Sequence, residues 1–101
     1  MSKLDTQVER NLQGKELERS GRTEEAIRLY EANISDNFDG SFPYVRLATI
    51  YRKRKDFQSE IRVLSKAIWV FENLVDSARS DKSEKLEKFK SLLQKAQSRL
   101  P

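Results

Sequence analysis

The sequence predicts an all-α protein, a right-handed solenoid of helical hairpins with about five helices. Three observations carry that expectation. Apolar residues recur at three- and four-residue spacing along nearly the whole chain. Only three glycines and two prolines punctuate 101 residues, and windows rich in β-branched and aromatic residues are scarce. The third observation is internal: residues 21–34, GRTEEAIRLYEANI, have a counterpart in residues 55–68, KDFQSEIRVLSKAI.

The first helix starts after Ser2, whose hydroxyl suits an N-cap. Leu4, Val8 and Leu12 form a stripe that Leu17 extends. Ser20-Gly21 ends it, with Gly21 suited to a left-handed residue. Thr23 is the expected N-cap of the second helix, and Glu24 and Glu25 meet the positive end of its dipole. Ala26, Ile27, Tyr30 and Ile34 form the inner face. Residues 35–43, SDNFDGSFP, are the clearest loop. Helix three runs from Pro43 to Arg54 with Tyr44, Leu47, Ala48 and Tyr51 on one side. Asp56 caps helix four, about twenty residues carrying Ile61, Leu64, Ala67, Ile68, Phe71, Leu74 and Val75. Val63, Trp69 and Val70 widen its apolar surface, so it needs more than one packing partner. The pattern breaks over residues 76–84. Asp81 with Glu84 resembles a capping box. Helix five, 82–100, has the stripe Leu86, Phe89, Leu93, Ala96 and Leu100 and is the natural cover for helix four.

Shifting the sequence by 34 positions aligns Gly14 with Ala48, Leu17 with Tyr51, Gly21 with Lys55, Ile27 with Ile61, Arg28 with Arg62, Tyr30 with Leu64 and Ile34 with Ile68. That period in helix–turn–helix units is the tetratricopeptide one. With these residues the chain resembles the tetratricopeptide repeat family. Gly14 and Ala26 stand at the family's small packing positions, Gly21 at its turn glycine, Tyr30 and Leu64 at its later large position, Ala67 and Asn33 at its second alanine. The resemblance implies a single domain over 1–101: repeat one at 3–40, repeat two at 41–75 and a C-terminal capping helix at 82–100. Departures are Arg10 and Tyr44 at the tryptophan-type position, Lys55 at the turn glycine, and Glu60 where Ala26 stands. A buried carboxylate needs a partner; Arg46, Arg52 and Tyr51 are the candidates.

The same resemblance implies a concave groove lined by the first helix of each repeat. Its residues here are Val8, Asn11, Leu12 and Lys15, then Phe42, Val45, Arg46, Thr49, Arg52 and Lys53. The mix is basic and lightly apolar. It suits a peptide or partner helix bearing carboxylates, which Arg grips with two hydrogen bonds. Asn11 and Lys15 match part of the family's carboxylate clamp, but a third in-register unit is missing. The expected role is a protein-interaction module, an adaptor or chaperone-like protein.

Other classes fit less well. The absence of Cys and His removes disulfides, thiolate metal sites and the commonest general base. With no glycine-rich phosphate loop and no carboxylate dyad, we expect no enzyme and no cofactor. DNFDG, 36–40, lacks the full calcium-loop pattern. A net charge of +4 is mild and serves solubility. RKRK, 52–55, sits where cations complement a helix C-terminus. Helix five carries Lys82, Lys85, Lys88, Lys90, Lys95 and Arg99, yet no aromatic–basic interleaving, so nucleic acid is the weaker alternative. Self-association into a homodimer is the third, because a two-repeat solenoid has exposed ends. No run reaches the roughly 18 apolar residues of a membrane span, and the N-terminal residues lack the apolar core of a signal peptide. The expected location is the cytoplasm.

Overall fold

The computed structural model describes residues 2–101. Five helices make up the fold: α1 (Lys3–Arg19), α2 (Thr23–Ser35), α3 (Phe42–Lys53), α4 (Phe57–Asn73) and α5 (Lys82–Ser98). Backbone contacts divide the chain into two compact units, Met1–Phe38 and Asp39–Pro101.

The first unit is the hairpin of α1 and α2. Ser2 caps α1 by accepting a 3.1 Å hydrogen bond from the Asp5 amide. The helix ends in a Schellman turn. Gly21 has φ +77°, its amide donates to Glu18 O, and Arg22 N donates to Leu17 O at 2.8 Å. This turn overturns the expected cap of α2. Arg22 takes the non-helical position before the helix, and Thr23 is already inside it. Arg22 instead grips the Glu25 carboxylate with two bonds of 2.8 and 2.7 Å.

The second unit repeats that turn and adds a helix. Lys55 has φ +60°, and Asp56 N donates to Tyr51 O at 2.9 Å. Helix ends follow the same offset: Arg19 and Lys53 close α1 and α3, Thr23 and Phe57 open α2 and α4, each pair 34 positions apart. Lys55 therefore keeps the geometry that Gly21 adopts, although a side chain there is strained. Asp56 caps α4 by accepting from Ser59 N. The α4 helix packs on both α3 and α5. Its 17 residues end at Asn73, short of the expected twenty, and Leu74 is exposed.

The core of the second unit is aromatic and aliphatic. Phe89 of α5 meets Phe71 edge-on at 5.4 Å and Tyr44 at 6.3 Å. Leu47, Val63, Leu64, Ala67 and Val70 are buried around them. Burial, with Asp39 nearby, pushes the Tyr44 phenol above its ordinary pKa. Three expectations for this unit fail. Trp69 is 47% exposed, with Lys66 Nζ 4.9 Å from its ring centroid, so α5 does not cover it. Asp81 makes no capping bond, because Arg79 holds its carboxylate at 2.6 and 3.1 Å. Leu100 lies beyond α5 and is exposed.

Candidate functional site

In the first unit the side chains of α1 are arranged against the usual sense. Leu4, Val8 and Leu12 are 56%, 44% and 57% exposed, whereas the buried residues of the helix are Gln7 and Gly14. Polar groups tie the helix to α2. Asn33, fully buried, donates from Nδ2 to Gln7 O at 2.7 Å and to Asn11 Oδ1 at 2.8 Å. Its Oδ1 accepts from Arg10. Arg10 also bonds Asp36 at 2.6 Å, and that bond holds the Asp36 carboxyl below its usual pKa, with Lys3 adding to the effect. Gln7 Nε2 donates to Asp36 O. With Asn33 bonded through both its nitrogen and its oxygen, its burial costs little. Of the expected groove residues on α1, Val8, Leu12 and Lys15 face outward, while Asn11 is half-buried and bonded to Asn33.

Gly14 is needed for the hairpin to close. A Cβ there would lie 2.7 Å from Tyr30 Cζ, so the ring occupies the space a side chain would take. Tyr30 is buried, and its hydroxyl donates to Glu18 Oε2 at 2.6 Å.

In the second unit the expected groove residues of α3 share the face opposite Tyr44, Leu47 and Ala48. Phe42 is 36% exposed, Lys53 is exposed, and Val45, Arg46, Thr49 and Arg52 are half-buried. Thr49 turns its hydroxyl back to Val45 O at 2.8 Å. The α3 helix contains no Asp or Glu, while Arg46, Arg52, Lys53, Arg54 and Lys55 follow one another through its end. Cations and a few apolar side chains share this side of the helix. The α1 face is mixed instead: Asp5, Glu9 and Glu16 are exposed beside its apolar row, with Lys15 and Arg19 among them.

Glu60 of α4 is 1% exposed. Its partner is Arg99, whose Nη1 donates to Oε2 at 3.3 Å; neither Arg46 nor Tyr51 supplies this bond. Arg52 adds a favourable charge at longer range. Desolvation nevertheless dominates and raises the carboxyl above its ordinary pKa. Oε1 has no hydrogen-bond partner among the described residues. Nothing about this carboxylate resembles a catalytic group, since it faces the packed interior rather than a cleft.

Two open hollows mark the surface. One, about 420 Å³, lies on α1 between Glu9, Leu12, Gln13, Glu16 and Leu17. The other, about 400 Å³, lies where residues 77–83 lead into α5 and reach Leu86; Arg79, beside it, is committed to Asp81 and Asp39. Among the described residues, no group of acidic side chains is placed to hold a metal ion, and no helix is long and apolar enough to cross a membrane. Sequence reasoning missed the Asn33 hub and the acidic border of α1. The second was legible in Glu9 and Glu16, seven residues apart on one helix face.

Comparison with protein-family models, with curated proteins and with solved structures finds no match to this chain.

Proposed function

We propose that the chain is a tetratricopeptide-like interaction module, an adaptor that binds a carboxylate-bearing segment of another protein on the side of α3 opposite Tyr44, Leu47 and Ala48. The observation that carries this reading is the composition of that face: Phe42, Val45, Arg46, Thr49, Arg52 and Lys53, with no carboxylate anywhere on the helix. Apolar side chains beside cations offer anchors for affinity and charge for steering. The shared left-handed turns at Gly21 and Lys55, and the helix ends 34 positions apart, support the repeat reading and with it a right-handed solenoid. Binding in this reading needs no cofactor and no catalysis, and the cytoplasm is its natural setting.

The test is affinity capture followed by mass spectrometry, comparing the native chain with Arg46→Glu/Lys53→Glu. The variant is expected to lose specific partners while keeping its helical circular dichroism. Equal capture by both proteins would remove α3 as the binding face. Binding to nucleic acid is the weaker alternative, because the exposed Lys88, Lys90 and Lys95 of α5 alternate with Glu84 and Glu87. Absence of DNA and RNA binding at low salt disposes of it.

A further inference from the structure

The last turn of α5 rests on little. The helix buries only Phe89 and Ala96. Phe89 is fixed against Phe71 and Tyr44, but past Ala96 every residue is exposed. The closing backbone bonds, Arg99 N to Ala96 O and Leu100 N to Gln97 O, span three residues and measure 3.1 and 3.3 Å. From this turn Arg99 Nη1 reaches α4, where Glu60 Oε2 accepts at 3.3 Å. Glu60 is 1% exposed. An ionised carboxylate has about four sites for hydrogen bonds, yet Oε1 has no partner among the described residues. The charges acting on Glu60 are Arg99 of α5 and Arg52 of α3. They do not offset the loss of water: burial is the largest influence on this group, and it favours the neutral acid.

We propose that the last turn of α5 is a strap gated by the ionisation of Glu60: it seals over the neutral carboxyl and lifts to admit water once the carboxyl is charged. Lifting gives up the burial of Ala96 and the bond from Arg99, and it hydrates both carboxylate oxygens. The direction follows from proton linkage. The closed turn holds the Glu60 proton more tightly than the lifted turn, in which water solvates the charge. Acid therefore favours closure, and rising pH favours lifting. Arg99 opposes the lifting, because its guanidinium steadies the ionised carboxylate in place. The turn that carries Phe89 takes no part, since the aromatic contacts with Phe71 and Tyr44 hold it.

Amide hydrogen exchange read by NMR tests it on three proteins: the native chain, Glu60→Gln and Arg99→Gln. Protection of residues 96–99, corrected for the intrinsic pH dependence of exchange, is compared with that of Phe89 from about pH 4 to 8. In the native chain, protection of the last turn is expected to fall about fivefold as pH rises across that range, while Phe89 holds level. Glu60→Gln cannot ionise and is expected to give a level profile at both places. Arg99→Gln is expected to show a deeper fall that extends to higher pH, because the carboxylate has lost its nearest cation. Circular dichroism checks that the variants fold. If Glu60→Gln does not, Arg99→Gln, changed at a partly exposed side chain, decides the matter against the native chain. A native profile that is level or falls on acidification, a fall that Glu60→Gln reproduces, an Arg99→Gln profile identical to the native one, or a loss at Phe89 as large as at the last turn would each overturn the proposal.

Discussion

Arg99, the residue that closes α5, reaches the buried Glu60 of α4 with a single 3.3 Å hydrogen bond to Oε2. One end of α5 is thereby tied to the start of α4, and the Phe89–Phe71 contact ties its middle. Removing the guanidinium leaves a desolvated carboxylate without its donor. Arg99→Ala is expected to lower unfolding stability by about 2 kcal/mol, measured by urea denaturation near neutral pH.

The pH dependence of Glu60 has a definite sign. Its folded carboxyl titrates above the ordinary carboxylate value because burial penalises the charge, so the folded state holds its proton more tightly than the unfolded one. Stability from this group is lowest above the raised value and grows as pH falls through it toward the usual range near 4. Asp36 and Asp81, held low by Arg10 and Arg79, act in the opposite direction. Only a difference isolates Glu60. Relative to Glu60→Gln, the native protein is expected to gain stability on acidification from about pH 7 to 4. A flat difference across that range contradicts the assignment.

Gly14→Ala is expected to cost about 1–3 kcal/mol, because the new methyl meets the Tyr30 ring. The second hairpin indicates the remedy. At the matching positions it holds Ala48 and Leu64, both buried, a larger residue facing a smaller one. Adding Tyr30→Leu to Gly14→Ala should therefore recover part of the loss, and a thermal-melt double-mutant cycle measures the coupling.

Lys55 stands in the left-handed region at φ +60°. Glycine removes the strain there, so Lys55→Gly is expected to raise stability by about 1 kcal/mol. Gly21→Ala should lower it by a similar amount. Chemical denaturation of the two variants side by side checks both signs.

Much of this architecture was legible from local signals. Gly21, Pro43 and Asp56 mark helix ends through backbone chemistry that needs no tertiary context, and the helices break where those residues stand. The inward face of α1 was hidden for a physical reason. Gln7, Asn11 and Asn33 bury polar groups by pairing across the hairpin, which erases the apolar period that would announce an interior. The partner of Glu60 was hidden by distance: Arg99 lies 39 residues away, outside the repeat in which candidates were sought. On the candidate site, the cationic face of α3 follows from sequence because the helix lacks any acid. The shared side of Glu9 and Glu16 was legible too, but which side of α1 turns outward needed the fold.

The amide-rich seam of the first hairpin also sets an order of events. Among the described residues α1 buries only Gln7 and Gly14, so little apolar surface resists its departure, whereas α4 is held on two sides by Phe71, Val63, Val70 and their neighbours. Hydrogen exchange along α1 should then report brief local openings, and exchange in the middle of α4 the loss of the whole second unit. Directional bonds across a hairpin also fix its alignment: sliding α1 by a turn would strand Asn33 opposite groups that cannot answer it.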